Sequence, residues 1–481
     1  EKSKISEEYL NKCVDIFSEK LKKISEKTGF LFVAKWTYNT TNHEIDFLSM
    51  KKRGLSNLLI KMNMRLIDNL QEIDNIFILD TDRWLKIVGK GSYSSRSWYK
   101  AKIPFSNDVF IEASKDISST ISASQGVNKK LLILDLDNTI WGGVVGEDGI
   151  DNLDLGGHSA IGEAFVDFQK SILNLKQRGV LLAINSKNNA KDALDMIDNH
   201  PEMILKNEDF IATRINWKNK EENIISIVKE LNLGLESVVF IDDSAIERNR
   251  VINALPEVFV PEFPKSPFEL SVFLNSMTCF DHLSLTSEDS ERHKMYNEEK
   301  ARSLAKLSIK NDDEWFATLG IKVESKKLDK SNLKRCAQLL NKTNQMNLST
   351  RRMIEIDLLN WNSSNENQVF TINVFDKFGS YGLTGILSTT KSENEIEIVD
   401  FVLSCRALGR KVEEAMIYIA SEYALSLGCN KIKLEFKKTK KNMPCFEFLK
   451  TNKIISEISP NIFIIDPDKC LRPQNINITQ L

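Results

Sequence analysis

No apolar stretch in the 481 residues approaches the length needed to cross a bilayer, and the first residues, Glu1 to Lys12, are charged where a secretory leader would be apolar. A membrane span and a signal peptide are therefore not expected, and a soluble cytoplasmic protein is. The chain also lacks an initiator methionine, which suggests a piece of a longer polypeptide, a processed product or an expressed fragment. Basic charge is not in excess: 65 Lys and Arg against 67 Asp and Glu leave a formal net charge of −2, which argues against a nucleic-acid-coating surface. Seven cysteines (Cys13, Cys279, Cys336, Cys405, Cys429, Cys445 and Cys470) form no CxxC pair and no zinc spacing, so reduced thiols are expected. The length predicts two to four domains with sizeable cores.

What is present begins with Leu131 to Gly149, LLILDLDNTIWGGVVGEDG, where an apolar run empties into two aspartates two residues apart. The run predicts a fully buried strand, which places Asp135 and Asp137 at its carboxyl end, where open α/β sheets bind ligands. Carboxylates this close repel unless a cation or a shared proton relieves them, a pattern that suits Mg²⁺ and carboxylate chemistry on a phosphate. A strand ending in a capping Asx turn is the structural alternative.

Val180 to Asn188, VLLAINSKN, repeats the layout and puts Ser186 at a second strand end, where its hydroxyl could meet phosphate. Asn216 to Ile224, NWKNKEENI, opens a helical pattern through Leu231 with Lys220 in the first turn. A cation there opposes the macrodipole, so another reason must hold it. Val238 to Ile241 predicts a third buried strand delivering Asp242 and Asp243.

These four pieces, in this order, resemble the haloacid-dehalogenase (HAD) phosphotransferase superfamily, with its DxDxT, Ser or Thr, Lys and acidic-pair signature. The resemblance implies that Asp135 attacks phosphorus, that Asp137 protonates the leaving oxygen and then activates water, and that Asp135, the Asp137 carbonyl and Asp242 hold Mg²⁺. It further implies that Thr139, Ser186 and Lys220 cradle the phosphoryl group. Between Asp137 and Ser186 there is room for a Gly-rich flap and one helix, about Ile161 to Gln177, but for no large cap. The site should then lie open or be roofed by another part of the chain.

Residues 1–128 alternate helical and strand signals: helices near Glu7 to Lys27 and Ser56 to Leu70, strands Phe30 to Trp36 and Ile76 to Leu79. This resembles the later part of an SGNH-hydrolase-like domain, but the Gly-Asp-Ser nucleophile block and the Asp-x-x-His dyad are missing and His43 is the one histidine, so a noncatalytic region is expected. Residues 129–278 form the HAD-type core, whose last strand should end at the prolines of Phe263 to Pro267. Residues 279–315 form a helical connector, with a charged helical run from Ser287 to Ala305, and 316–481 a further α/β domain.

In that last domain Ile396 to Leu403 predicts a strand, followed by SCRALGRKVEE and a helix to about Leu427. A strand, a turn bearing Arg406, Gly409 and Arg410, and a helix N-terminus together suit phosphate. The turn resembles the pyrophosphate turn of the GNAT acetyltransferase fold, with Lys411 departing from its last small position.

From WGGVVGEDG and NWKNKEENI through Lys342 to Arg352 (KTNQMNLSTRR), Asp376 to Gly385 (DKFGSYGLTG), SCRALGR and KKNMP, the chain resembles the FkbH-like family of polyketide biosynthesis. That resemblance implies an enzyme that takes a three-carbon acyl phosphate, 1,3-bisphosphoglycerate, removes phosphate, and loads a glyceryl unit on the phosphopantetheine thiol of an acyl carrier protein, free-standing or as part of a polyketide megasynthase. It also implies Mg²⁺ as cofactor. Cys405 lies just after a predicted strand, beside Arg406 and a helix N-terminus, an environment that favours thiolate, and is the expected acyl carrier on the enzyme; a buried core cysteine is the alternative. Arg406, Gly409 and Arg410 would receive the carrier's phosphopantetheine. Cys336, Cys429 and Cys445 are expected to be packing residues. The segment Asn341 to Arg352 suits a carboxylate or phosphate, His158 could touch substrate, and lysines 431, 433, 437, 438, 440 and 441 could steer an acidic carrier. The alternatives are a stand-alone Mg²⁺ phosphatase with an unrelated acetyltransferase-like domain, and a noncatalytic docking subunit.

Overall fold

A computed structural model describes residues 7–480 apart from 39–46, 52–53, 74, 125–126, 282–291, 307–308 and 310. His43 and the start of the helical run at Ser287 lie outside the described residues. The chain divides into two compact units, 1–121 and 122–481. In the first, strands β1 (Leu31–Ala34) and β2 (Ile76–Leu79) pair in parallel, and Val14, Leu21, Leu66 and Leu70 of the helices Glu7–Ser25 and Leu55–Leu70 share a small core with Val33 and Ile76.

The second unit begins with a four-stranded parallel sheet: β3 (Leu131–Leu134), β4 (Leu181–Ser186), β5 (Phe210–Ile215) and β6 (Val238–Ile241), in the order β5-β4-β3-β6. Its two central strands, β3 and β4, are buried along their whole length, as is the edge strand β6. Alternate residues serve opposite faces. Leu132 and Leu134 pack with Phe168 and Ile172 of the helix Ala160–Gln177, whereas Leu131 and Ile133 pack with Ile224 and Ile227 of the helix Lys220–Glu230. The parallel register, Leu131 opposite Val238 and Leu134 opposite Ile241, ends β3 and β6 level with each other, so both empty their acids at one edge. Between Asp137 and Ser186 stand one helical turn (Val145–Asp148), a short 3₁₀ turn and the helix Ala160–Gln177, and no cap domain. No last strand runs up to the prolines near Phe263; there is one isolated bridge, Val239 to Phe259, and then the helix Leu270–Asn275. The prolines cannot donate to a ladder, and β6 has already ended at Ile241.

The remaining residues build one mixed sheet from β7 (Ile321–Lys327), β8 (Met346–Asn347), β9 (Asn367–Asp376), β10 (Gly379–Ser392), β11 (Glu395–Leu403), β12 (Lys431–Glu435), β13 (Ile455–Ser459), β14 (Ile462–Ile465) and β15 (Ile476–Gln480). A long antiparallel meander, β9-β10-β11, is followed by the helix Val412–Ser426, which buries Met416, Ile419 and Ala420 on the sheet and returns the chain to β12, parallel to β11. β11 and β12 pair only from Glu395/Lys431 to Ile398/Leu434. Beyond that they part, and β8 enters beside the far end of β11, pairing with Val402 and Leu403. The connector helix Arg292–Lys306 precedes this sheet and docks on it through Arg302.

Candidate active site

Asp135 and Asp242 follow β3 and β6 directly, and Lys220 opens the helix after β5, so the three meet at the carboxyl edge of the sheet. The Lys220 ammonium donates to Asp135 Oδ1 at 2.6 Å and to Asp242 Oδ2 at 2.8 Å, with its own side chain 2% exposed. This explains a lysine in a helix's first turn: two carboxylates outweigh the macrodipole. Burial alone would lower the Lys220 pKa, but Asp135 and Asp242 outweigh it and hold the amine charged. Asn185 fixes the lysine's backbone by donating to its carbonyl, and Asn223 in turn donates to Asn185.

Carboxylate oxygens of Asp135, Asp242 and Asp243 lie within 4.8 Å of one another. Burial, then Asp135, push Asp242 up to about 6 despite Lys220, and the same two influences raise Asp243. Three acids sharing one ammonium leave two uncompensated negative charges, the balance a divalent cation would restore, so the residues present fit a Mg²⁺ ion. Asp242 has its Oδ2 on Lys220 and its Oδ1 on the Ser244 N–H. Asp243 is therefore the better placed of the pair to face an ion, a residue the sequence named only as part of the doublet. Arg248, buried at 5% exposure, donates to the carbonyls of both Asp242 and Asp243 and fixes that turn.

Thr139 is fully buried, and its hydroxyl accepts from the Asp243 N–H at 3.2 Å. It holds the acidic turn in place rather than reaching toward a phosphate, which corrects its expected role. Ser186 sits buried at the end of β4, level with Ile215.

Asp137 is gripped from three sides: Trp141 Nε1 at 2.9 Å and the Val145 N–H at 3.1 Å donate to one carboxylate oxygen, and Asn188 Nδ2 at 2.7 Å to the other. Burial raises its pKa, with hydrogen bonds from Val145 and Trp141 opposing and Asp135 adding to the rise. A carboxyl raised in this way and locked in orientation suits a general acid. Asn188 went unremarked in the sequence; its only signal was its place two residues past a strand-end serine. Gly142 packs so closely that a Cβ there would stand 2.8 Å from Asp154 and 2.9 Å from Phe165, so the flap's return depends on glycine. His158 is exposed and makes no part of this cluster.

Cys405 is elsewhere. It lines a cleft of about 490 Å³ with Lys130 and Ser237, the residues immediately before β3 and β6. Asp135 and Asp242 immediately follow the same strands, so the Cys405 cleft and the Asp135 cluster lie at opposite edges of one sheet, about 16 Å apart by strand rise. The further α/β sheet therefore abuts the amino-terminal edge of the core and does not roof Asp135. Cys336, Cys429 and Cys445 are buried as expected, and burial pushes the Cys445 thiol up to about 12.

The turn after β11 is occupied by the chain's own carboxylates. The Gly409 N–H donates to Glu413 Oε1 at 2.7 Å, and Arg410 pairs with Glu299 of the connector helix at 2.5 Å. The wedge between the diverging β11 and β12 is filled by β8, where Asn442 donates to the Asn347 carbonyl. Gly409 and Arg410 thus serve the fold, and Arg406 alone of the three expected phosphopantetheine residues lines the cleft. In the segment Asn341 to Arg352 both arginines are spoken for, Arg351 by Asp400 and Arg352 by the Leu340 carbonyl and Asn344. Lys342, Thr343, Asn344 and Gln345 are its members that face the cleft. In the lysine stripe, Lys431 and Lys433 pair across the strands with Glu395 and Glu397, and Lys441 pairs with Glu236.

The family model described as NLI interacting factor-like phosphatase matches residues 130–265, the sheet that carries this cluster. Among solved structures, the N-terminal part of the protein BF1531 from Bacteroides fragilis, containing a phosphatase domain complexed with Mg, is 34% identical, with a TM-score of 0.54 over 58% of this chain and 75% of that one. A spermidine N-acetyltransferase from Vibrio cholerae, in complex with CoA and spermine, matches at 16% identity and a TM-score of 0.24, covering 31% of this chain and 98% of that one. No curated protein matches the chain. With Asp135, Asp137, Lys220 and the Asp242–Asp243 turn assembled on the sheet that the family model covers, and 34% identity over 75% of the BF1531 phosphatase-domain structure, the chain belongs to the HAD-type phosphatase-domain family of BF1531.

Proposed function

We propose that the protein transfers a three-carbon acyl unit, glyceryl from 1,3-bisphosphoglycerate, onto the phosphopantetheine thiol of an acyl carrier protein in polyketide biosynthesis, with removal of phosphate at the HAD-type site. The observation that carries the reading is that one compact unit, 122–481, holds both the Asp135–Lys220–Asp242 cluster and a cysteine in a cleft large enough for a small metabolite. The family resemblance of the motifs supports the substrate.

At the phosphate site Asp135 is the nucleophile and Lys220 orients it while stabilising the oxygens of the transferring group. Asp137, held by Trp141, Val145 and Asn188, delivers a proton to the leaving oxygen and later takes one from water. Mg²⁺, bound among Asp135, Asp243 and the Asp137 carbonyl, would neutralise charge on the phosphoryl oxygens. A thioester cannot be drawn from phosphate-ester hydrolysis, so its energy comes from the mixed anhydride at the acyl end. The Cys405 thiolate attacks the C1 carbonyl and expels the C1 phosphate, the carrier's thiol then displaces Cys405 from the resulting thioester, and the C3 phosphate ester is the one hydrolysed at Asp135. The cytoplasm, where acyl phosphates and reduced thiols occur, suits this chemistry, and among the described residues no helix is long and apolar enough to cross a membrane.

Incubation with a carrier protein, Mg²⁺ and 1,3-bisphosphoglycerate, followed by the intact mass of the carrier, tests the reading. A glyceryl adduct is expected, absent with Cys405→Ala. The opposite-edge placement of Cys405 and Asp135 favours one second reading, a Mg²⁺ phosphatase whose cleft serves another purpose. Rapid phosphate-ester hydrolysis with an unmodified carrier would establish it.

A further inference from the structure

The loop after β4 and the helix after β6 are tied together at the edge of the sheet that carries Asp135. Lys187 follows Ser186 directly, Glu247 stands in the first turn of the helix Ala245–Ala254, and the Lys187 ammonium donates to Glu247 Oε1 at 2.8 Å. β3 lies between β4 and β6, so a bridge from one to the other crosses the line of β3 at the end where Asp135 follows it. Both partners sit beside residues of the site. Asn188, next to Lys187, donates to Asp137, and Arg248, next to Glu247, donates to the Asp242 and Asp243 carbonyls. The two side chains are 28% and 15% exposed, a partly wetted position in which an ion pair adds little to stability. Glu247 Oε2 is nevertheless shielded from solvent and has no hydrogen-bond donor among the described residues. A buried carboxylate oxygen is costly to leave without a donor, and this one stands beside the phosphate chemistry.

We propose that Lys187 and Glu247 read the leaving group of the phosphate ester, with Glu247 Oε2 accepting from a hydroxyl on the carbon next to the ester carbon. The inference rests on the reading of Asp135 as the site of phosphate-ester hydrolysis. In-line displacement by Asp135, at the end of β3, drives the leaving oxygen outward from the strand, past Asp137 and toward the bridge. An acceptor without a donor, beside an ammonium with three N–H groups, is complementary to an alcohol next to a carbonyl. The hydroxyl gives to Oε2, and the carbonyl or carboxylate oxygen accepts from Lys187. The C2 hydroxyl and C1 acyl oxygen of a 3-phosphoglyceryl group present this combination on the two carbons beyond the C3 ester. An ester without the hydroxyl leaves Oε2 unmet, so the pair selects 2-hydroxyacyl phosphomonoesters over their deoxy counterparts. Both residues act by selecting and orienting the leaving group, and the proton transfers stay with Asp137.

Hydrolysis of 3-phosphoglycerate and of 3-phosphooxypropionate, which lacks only the hydroxyl, by the full chain with Mg²⁺ and no carrier tests the inference. Wild type is expected to favour 3-phosphoglycerate in kcat/KM by about tenfold to a hundredfold, the usual worth of a hydrogen bond to a charged group. In Glu247→Ala that preference should shrink to about threefold or less, and Glu247→Gln, whose carbonyl oxygen still accepts, should keep part of it. Lys187→Met should raise KM for both acids about tenfold, and Lys187→Arg should recover most of that loss. Wild-type values for the two esters equal within about threefold, no hydrolysis of either, or a preference undiminished in Glu247→Ala would overturn the inference. The wild-type comparison needs no variant to fold. A preference for the hydroxylated ester with no glyceryl adduct on a carrier would retire the loading reaction and leave this inference standing, and a glyceryl adduct with no preference would do the reverse.

Discussion

Arg302 meets the carboxylate of Asp376 side-on, Nε to Oδ2 at 2.7 Å and Nη2 to Oδ1 at 3.0 Å, with the two side chains 3% and 0% exposed. Tyr381 donates to the same carboxylate at 2.7 Å, and the guanidinium lies 4.0 Å from its ring centroid. The DKFGSYG motif is thus the socket of the connector helix. Asp376→Asn removes the closest of three carboxylates on the buried guanidinium, Glu298 and Glu299 remaining at 3.7 and 3.4 Å, and should cost about 2 kcal/mol in denaturant unfolding, the usual loss for a charged hydrogen bond.

The same pair predicts acid lability. Burial would raise the Asp376 pKa, but hydrogen bonds from Arg302 and Tyr381 outweigh it and hold the carboxyl below its ordinary 3.8. A carboxyl lowered by folding stabilises the native state fully above its unfolded pKa, and that contribution fades as pH falls through the folded one. Thermal unfolding should show wild type losing more stability than Asp376→Asn as pH falls through the ordinary 3.8 and below it.

At the phosphate site, Asn188→Ala frees one side of the Asp137 carboxyl without touching the nucleophile. Turnover of a phosphomonoester should fall about tenfold to a hundredfold with little change in KM, since a positioned general acid contributes about that much or more. A shifted acid limb in the pH–rate profile would mark a positioning role, which simple loss of packing would not produce.

Asp243→Asn should raise the Mg²⁺ Kd at least about tenfold by calorimetry, because a carboxylate ligand is lost. Asp242→Asn should act differently, loosening Lys220 and lowering stability in the absence of metal. With Asp242 pushed up to about 6 in the metal-free site, its charge beside the ion is lost on acidification, and Mg²⁺ affinity should weaken as pH drops through that value.

CoA should give no thermal shift. Its diphosphate would have to displace Glu413 from Gly409 and Glu299 from Arg410, and its arm would have to expel β8. A shift that disappears in Arg410→Ala would show that these carboxylates yield.

Much of this was legible in the chain. Apolar runs four residues long fixed β3 and β6 to the residue, because strands buried on both faces admit no polar interruption. The Asp135, Asp137, Lys220 and Asp242 cluster followed from strand ends in a parallel sheet. What stayed hidden depended on distant partners. Thr139 looked like a phosphate ligand until Asp243 was seen to use its hydroxyl, and Gly409 and Arg410 fit an anion turn equally well whether the anion is a ligand or Glu413 and Glu299. The separation of Cys405 from Asp135 was invisible, since no local pattern says which edge of a sheet a later domain will meet.

That separation has a kinetic corollary. Molecules bound at the two ends of β3 and β6 do not exclude each other, so a vanadate-like blocker at Asp135 should be noncompetitive toward whatever reacts at Cys405, and a thiol reagent should leave phosphate-ester hydrolysis at Asp135 untouched.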